Sequence, residues 1–265
     1  MKVACQDTLI PGNNIKEILF KAGKIGFDGI EISGERFLNS TTKTCNALDN
    51  SELPLAIICA GHRGWLLSEK KDKRQAALED IKLLLDYANQ YKAIGVLTPT
   101  IYGTSDYLPF PARKRSLKED KKLLIESLNE IGEYAEERNV FLVLEPLIRY
   151  QTHFLNKLSE GIEIINQLDN KGVKLMADTF HMNMEEKNID QSLIKAKNFL
   201  YHVHLSDSNR ELPGKGHIDF KKHIETLKSI DYNHYLSFEA LKPANPKQGL
   251  KDSLNFIKSF LQGGK

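Results

Sequence analysis

Four residues with metal-binding side chains each lie at the end of a short apolar segment in the second half of the chain. They are Glu145, Asp178, His204 and Glu239, separated by 33, 26 and 35 residues. Three carboxylates and one imidazole are the donor set of an oxygen-rich site for Mn²⁺, Mg²⁺ or Co²⁺. Without a cation, carboxylates held together would repel and raise one another's pKa. Each residue alone could instead be a loop position or a helix cap, so the interpretation requires a fold that brings all four together.

The segments that carry these residues belong to an alternation of short apolar strands and longer helical patterns. Apolar residues recur at helical spacing most clearly over 68–91 and 116–139, and Ser116 with Glu119 forms a capping signature at the start of the second. Weaker helical stretches cover 14–24 and 40–50. The eight predicted strands are 2–5, 29–32, 55–61, 94–99, 140–146, 173–178, 201–207 and 235–241.

Eight strand–helix units in 265 residues predict an α/β fold, a closed (β/α)8 TIM barrel that forms one domain over 1–265. The alternative is an open doubly wound sheet, but "CQDTLIPGNNI" after the first strand contains no glycine-rich phosphate loop. Active sites of such barrels lie at the carboxyl ends of the strands. The spacing of the four residues is about one strand–helix unit each, so neighbouring strands would present them to one point.

Composition and charge exclude several classes of function. The net charge is +2, from 37 basic and 35 acidic residues, which favours neither nucleic acid nor an anionic membrane as a partner. The longest apolar stretch, 53–60, is too short to span a bilayer, and "MKVACQDTLI" lacks the apolar core of a secretory signal. Cys5, Cys45 and Cys59 are odd in number and widely spaced. We therefore expect no disulfide framework and a cytoplasmic location.

Several motifs resemble one superfamily. "LEP" at 144–146, "ADTFHMN" at 177–183, "HVHLSDSNRELPGKGHIDF" at 202–220 and "SFEAL" at 237–241 are similar to xylose-isomerase-like TIM barrels, and most of all to the ketose 3-epimerases of the D-tagatose and D-psicose group. The resemblance implies a small sugar substrate and a homodimer or homotetramer. It also implies one divalent metal ion, with Mn²⁺ expected and Mg²⁺ or Co²⁺ as alternatives, held by Glu145, Asp178, His204 and Glu239.

The same resemblance implies a metal-dependent epimerase or isomerase. Glu145 and Glu239 would be the catalytic pair, on opposite faces of the carbon beside the carbonyl of an open-chain ketose. One carboxylate would remove a proton, and the other would return a proton to the opposite face through a cis-enediolate. His181 and Arg210 occupy positions that hold substrate oxygens in this family.

The chain departs from the epimerase pattern after the fifth strand. It reads "EPLIRYQ", so Ile148 stands in place of an asparagine and Gln151 in place of a second glutamate. We expect Gln151 to contact the substrate, whose identity this change leaves open between a neutral ketose and a more anionic keto-acid or phosphorylated sugar. His62 and Trp65 in "CAGHRGWLL" are expected to line the pocket, although packing within their loop is the alternative. His202 is expected to point outward into the helix layer.

Four other functions remain open on the sequence. Dehydration of an inosose uses the same proton abstraction beside a ketone, and aldose–ketose isomerisation is also compatible. A DNA-repair endonuclease of the superfamily would need a histidine at the end of the fourth strand, which reads "LTPT" instead. A non-catalytic sugar-binding or metal-binding protein is disfavoured because both predicted acid/base carboxylates are present.

Overall fold

Eight parallel strands form a closed barrel in which each strand pairs with the next along the chain and β8 pairs with β1. The computed structural model describes residues 1–102 and 115–262. The predicted single-domain (β/α)8 barrel is confirmed, although the expected domain limits include positions outside these ranges. The strands are β1 (Lys2–Gln6), β2 (Gly29–Ser33), β3 (Leu55–Cys59), β4 (Gly95–Pro99), β5 (Phe141–Glu145), β6 (Val173–Asp178), β7 (Leu200–Leu205) and β8 (Tyr235–Phe238).

All eight predicted strands are present, with ends that differ by up to three residues from the prediction. Most of their residues are apolar and buried, because strands of a parallel barrel are covered on both faces. The largest difference is at β8, which was expected to extend to 241 and ends at Phe238. Glu239 therefore follows the strand directly, and its backbone N–H still donates to the carbonyl of Leu205 at 3.4 Å.

Helices connect successive strands and cover the outside of the barrel. The predicted cap at the start of α4 is confirmed: the Ser116 hydroxyl accepts from the Glu119 N–H, and the Glu119 carboxylate accepts from the Ser116 N–H at 2.7 Å. The sequence pattern did not predict α6 as a separate helix. The helices are α1 (Ile15–Ile25), α2 (Gly34–Asp49), α3 (Lys71–Gln90), α4 (Leu117–Glu137), α5 (Leu158–Ile165), α6 (Thr179–Glu185), α7 (Ile189–Ala196), α8 (Phe220–Ser229) and α9 (Pro246–Gln262).

The interior of the barrel is apolar on one side and polar on the other. Ile57, Leu97, Val143 and Met176 form a small apolar cluster from β3 to β6, separate from the main core between strands and helices. Buried polar side chains from β2 and β7 contact one another across the rest of the interior. The barrel interior therefore has an apolar part between β3 and β6 and a polar part between β2 and β7.

The cysteines and the helices bear on where the protein could reside. Cys5, Cys45 and Cys59 are all free cysteines. Within residues 1–102 and 115–262, no helix combines the length and the apolar character that crossing a bilayer requires.

Candidate active site

The four residues singled out from their spacing come together at the carboxyl end of the barrel. Glu145 ends β5, and Asp178 ends β6. His204 is the second-to-last residue of β7, and Glu239 directly follows β8. Each offers one potential ligand atom, and these atoms all lie within 4.8 Å of one another. Asp178 and His204 are direct partners in the register of β6 and β7, which sets them at the same height. The convergence predicted from the sequence is therefore present.

The Nδ1 atom of His204 faces the three carboxylates of this cluster. It lies 3.0 Å from Oε2 of Glu239, 3.8 Å from Oε1 of Glu145 and 3.9 Å from Oδ2 of Asp178. The opposite ring nitrogen, Nε2, lies 2.9 Å from Oε2 of Glu31, below the cluster. The imidazole thus connects the cluster at the barrel mouth with the buried interior.

Asp178 divides its two carboxylate oxygens between structure and site. Oδ1 accepts from the backbone N–H groups of Phe180 at 2.7 Å and His181 at 3.3 Å, so it caps the N-terminus of α6. Oδ2 remains directed at the cluster and at Arg210. One side chain therefore fixes the start of α6 through Oδ1 and presents its second oxygen, Oδ2, to the cluster.

The two glutamates of the cluster differ in their ionisation. Burial raises the pKa of Glu145, and the negative charges of Glu239 and Asp178 raise it further, to well above its ordinary value. Burial opposes ionisation of Glu239 as well, but the positive charges of His204 and Arg210 outweigh it and hold the pKa of Glu239 well below its ordinary value. The carboxyl groups of the cluster therefore do not all lose their protons equally easily, because they are buried away from water and their negative charges repel one another.

The cluster has the features expected of a divalent-cation site. Oε1 of Glu145 is buried and has no hydrogen-bond partner within the described residues, although a buried carboxylate oxygen normally has one. A cation would satisfy this oxygen and also neutralise the repulsion between the carboxylates. Three carboxylates with one imidazole suit Mn²⁺, Mg²⁺ or Co²⁺, and the residues present fit such an ion.

His181 lies on the first turn of α6 and directs one nitrogen into the cluster. Its Nε2 atom lies 3.8 Å from both Oε1 of Glu145 and Oδ2 of Asp178. Its Nδ1 atom accepts from the backbone N–H of Ile148 at 3.4 Å, which leaves the proton of the neutral ring on Nε2. Burial lowers the pKa of His181 and so favours this neutral form. His181 can therefore donate a hydrogen bond to a molecule beside the carboxylates.

Arg210 reaches the cluster from the loop after β7. Nη1 donates to Oδ2 of Asp178 at 2.6 Å, and Nη2 donates to Glu239. The guanidinium also lies 5.0 Å from the ring centroid of Phe180. Burial disfavours its charge, but Asp178 and Glu239 outweigh burial and raise the pKa of Arg210 above its ordinary value. Arg210 is thus a fixed cation with several donors beside the four-residue cluster.

The three other residues predicted to contact the substrate are His62, Trp65 and Gln151. Both ring nitrogens of His62 are occupied, one by the Gly64 carbonyl at 2.9 Å and the other by the Thr98 hydroxyl at 2.7 Å. Trp65 packs edge-on against His62, with ring centroids 5.0 Å apart. Oε1 of Gln151 is buried without a hydrogen-bond partner in the described residues. Substrate contact by these three residues stays a prediction.

The expectation for His202 is wrong. Its Nε2 atom lies 2.9 Å from Oε2 of Glu31, and the residue is fully buried inside the barrel. β2 and β7 are not neighbours in the ring, so this contact crosses the interior. The reason is that His202 and His204 are two residues apart, and positions two apart in a strand share a face.

Sequence reasoning missed two residues beneath the cluster. Glu31, fully buried in β2, contacts both His202 and His204, and Gln6 at the end of β1 donates to both Glu31 and Glu239. One signal was available for Glu31, because it is a single charge within the apolar run "GIEI", and buried charges are rarely left unpaired. Gln6 had no such signal.

The chain is similar to known sugar epimerases over most of its length. The chain is 31% identical over 261 residues to 3-dehydro-D-guloside 4-epimerase of Escherichia coli (strain K12), which covers 98% of this chain and 100% of the relative. It is 31% identical over 225 residues to D-psicose 3-epimerase of Enterocloster bolteae, covering 82% of this chain and 73% of the relative. The apo crystal structure of 3-keto-D-glucoside 4-epimerase from E. coli superposes with a TM-score of 0.92, at 31% identity, over 98% of this chain and 99% of the other.

These relatives are epimerases, which are isomerase-class enzymes, so the predicted enzyme class and the resemblance to ketose epimerases are confirmed. The family described as "Xylose isomerase-like TIM barrel" matches residues 19–260. Because this match spans most of the chain, the chain belongs to the xylose isomerase-like TIM barrel family.

Proposed function

We propose that the protein is a divalent-metal-dependent epimerase that inverts the carbon next to the ketone of a keto sugar. The observation that carries the proposal is the convergence of Glu145, Asp178, His204 and Glu239, whose ligand atoms lie within 4.8 Å of one another. The sugar-epimerase relatives that match most of the chain support the same reaction class. The expected cytoplasmic location and homodimer or homotetramer belong to this proposal.

The four converging residues would hold the metal ion, with Mn²⁺ as the expected ion and Mg²⁺ or Co²⁺ as alternatives. When bound, the ion supplies Lewis-acid polarisation of the substrate carbonyl and compensates negative charge that develops on its oxygen. Oε1 of Glu145, which is buried and has no hydrogen-bond partner among residues 1–102 and 115–262, supports a cation at this point.

Glu145 and Glu239 are proposed as the acid/base pair. Glu145 ends β5 and Glu239 follows β8, and these strands are three apart in the ring of eight, so the two carboxylates approach a molecule at the barrel mouth from different sides. One carboxylate removes the proton from the carbon beside the ketone, and the other carboxylic acid returns a proton to the opposite face. This exchange inverts that carbon, and the composition of the sugar is unchanged because one proton replaces another.

His181 and Arg210 are proposed to bind the oxygens that gain charge during this exchange. The Nε2–H of His181 points at the space beside Glu145 and Asp178. The guanidinium of Arg210 lies at the side of Asp178 and Glu239. Donors already held in place stabilise a developing enediolate without having to reorganise during the reaction.

The proposed substrate class rests on one feature of the chain and on the name of one relative. Position 151 carries a neutral glutamine and position 148 an isoleucine that is 6% exposed, so these two positions supply no carboxylate. The full-length relative acts, by its name, on a dehydro-guloside, which is a glycoside with a ketone in the ring. We therefore propose a ketone-bearing sugar and include keto-glycosides beside free ketoses.

Solvent-deuterium uptake tests the proposal directly. The Mn²⁺-loaded protein is incubated in D₂O with separate ketoses, 3-keto-glycosides, sugar keto-acids and inososes, and products are followed by NMR. The expected result is deuterium at the carbon beside the ketone, together with the inverted isomer and no loss of water. Removal of metal with a chelator should abolish exchange, and added Mn²⁺ should restore it.

Two results would contradict this proposal. Loss of water from an inosose without inversion would identify a lyase of the inosose-dehydratase type. A lack of exchange with every compound, in protein shown to bind Mn²⁺, would remove the assignment of Glu145 and Glu239 as an acid/base pair.

A further inference from the structure

Glu31 is a fully buried carboxylate in the middle of the barrel, and all of its visible partners are hydrogen-bond donors. Its Oε2 atom lies 2.9 Å from Nε2 of His202 and 2.9 Å from Nε2 of His204. Its Oε1 atom accepts from Nε2 of Gln6 at 2.8 Å. Burying an unpaired carboxylate costs free energy, so these three donors explain how the fold tolerates Glu31 in the barrel interior. They also connect it to the residues above it.

The bond from His204 to Glu31 selects which nitrogen of His204 faces the candidate metal site. While Nε2–H donates to Glu31, a cation that replaced the proton between Nδ1 and Glu239 would meet the lone pair of Nδ1. Nδ1 is also the atom that faces Glu239, Glu145 and Asp178. A carboxylate behind a histidine is a common means of fixing the tautomer and the ring orientation of a metal ligand.

Gln6 extends the same network to a second residue of the site. Its side-chain nitrogen donates to Oε1 of Glu31 and, at 2.9 Å, to Oε1 of Glu239. The other oxygen of Glu239 faces His204 and Arg210. Both oxygens of this carboxylate are therefore oriented, and one of them is oriented through Glu31.

Glu31, His202 and His204 could also be considered as a second metal site, since their donor atoms lie within 4.8 Å of one another. The distances argue against it. Both histidine nitrogens approach the same oxygen at hydrogen-bond length, 2.9 Å, whereas metal–nitrogen and metal–oxygen bonds are about 2.0–2.2 Å. A proton fits between these atoms, and the hydrogen bonds already satisfy the carboxylate.

We propose that Glu31 is a positioning residue for the metal site, which it supports by orienting His204 directly and Glu239 through Gln6. This inference rests on the proposed function, because it assumes that the four-residue cluster binds a divalent ion. It predicts that a change at Glu31 alters metal affinity although Glu31 does not itself touch the ion.

Titration of the metal-stripped protein with MnCl₂ in a calorimeter tests this inference. The variant Glu31→Gln keeps the shape of the side chain, but an amide offers one acceptor oxygen and one donor nitrogen, so it cannot accept from all three neighbours. We expect wild-type protein to bind one Mn²⁺ per chain. We expect Glu31→Gln to bind Mn²⁺ about 10-fold to 100-fold more weakly.

Asp190→Asn is the matched control. Asp190 accepts from Nδ1 of His223 at 2.8 Å and from Thr226 in the outer helix layer, so this change also weakens a buried histidine–carboxylate bond, but away from the site. Both variants should lower the thermal stability of the metal-free protein, whereas Asp190→Asn should leave the Mn²⁺ dissociation constant within about twofold of wild type. A purely structural role for Glu31 would lower stability without this change in affinity.

A second variant keeps the test decisive if Glu31→Gln does not fold. Gln6 is partly exposed, and Gln6→Ala removes the donor that joins Glu31 to Glu239, while the bond from His204 to Glu31 remains; the expected loss in Mn²⁺ affinity is about threefold to tenfold. Unchanged affinity in the variants, with one Mn²⁺ bound to wild type, would overturn the inference. Two ions in wild type and one in Glu31→Gln would overturn it in favour of a second metal site. No binding to wild type would instead refute the proposed function, and this inference with it.

Discussion

The guanidinium of Arg210 is joined to the carboxylate of Asp178 by a hydrogen bond of 2.6 Å from Nη1 to Oδ2. The backbone of Arg210 is left-handed, with φ +63°, a conformation that a non-glycine residue adopts only when its surroundings require it. Its N–H donates to the Asp207 carbonyl at 2.9 Å, and its carbonyl accepts from Leu241 at 2.7 Å. The loop after β7 is therefore shaped so that this one side chain reaches the cluster.

Arg210→Lys should reduce kcat/KM for the keto-sugar substrate by about 100-fold. A lysine ammonium is a single point charge and cannot donate in fixed geometry to two carboxylates and to a substrate oxygen together. Steady-state kinetics measure the effect. Arg138→Lys, which alters an arginine paired with Asp86 on the outer helices, serves as the control and should remain near wild type. Equal losses in both variants would mean that Arg210 acts only on overall stability.

Glu239→Gln should abolish turnover and solvent-deuterium exchange while the protein stays folded. Glutamine has nearly the shape of glutamate but cannot accept and return a proton, and it is a weaker ligand for a divalent ion. Circular dichroism and thermal unfolding check the fold, and NMR checks the exchange. Glu225→Gln, at an exposed position of α8, is the control and should retain full activity. Wild-type rates in Glu239→Gln would refute its role as an acid/base group.

Asp207→Ala should disturb both stability and activity, because Asp207 holds the loop that carries Arg210. Its buried carboxylate accepts from the N–H groups of Ser208, Gly214, Lys215 and Ile218 at 2.8 to 3.1 Å. Loss of these acceptors should lower the free energy of unfolding by about 3 kcal/mol. Urea denaturation measures this change.

Asp207→Ala should lower kcat/KM by more than the loss of folded protein alone would cause. We expect kcat/KM to fall by about 100-fold at a temperature where the variant is fully folded, since Arg210 loses its position. Asn209→Ala, at an exposed position of the same loop, should stay within about twofold of wild type. A stable variant with normal kinetics would show that Arg210 keeps its place without Asp207.

His62 should make the protein less stable at mildly acidic pH. Burial lowers the pKa of His62 to about 4, whereas an unfolded histidine has a pKa near 6.5. Between these values the unfolded state binds more protons than the folded state, so the free energy of unfolding decreases as the pH falls. The contribution of His62 should decrease by about 2 kcal/mol between pH 7.5 and pH 5.

Urea denaturation of His62→Gln at both pH values isolates this contribution. The variant cannot titrate at position 62, so its stability should depend on pH less steeply than that of wild type. An identical pH dependence in wild type and His62→Gln would refute the assignment.

Much of the fold could be predicted from local sequence alone. Apolar runs of four to seven residues separated by helical patterns predicted all eight strands, because parallel strands buried on both faces contain few polar residues. Ser116 and Glu119 predicted the start of α4, because a capping box is a local structure. The four residues at strand ends could also be predicted, because a regular strand–helix unit converts spacing along the chain into neighbouring positions around the ring.

Only the tertiary structure decided what lies beneath and around these four residues. Glu31 and His202 are 171 positions apart, and their contact exists only because the barrel closes and brings β2 and β7 to face each other across the interior. The left-handed backbone of Arg210 and the occupied ring nitrogens of His62 likewise depend on contacts between separate loops and strands. The periodicity of a sequence determines which face a side chain occupies, but the partner that it finds there depends on how all the strands close into one ring.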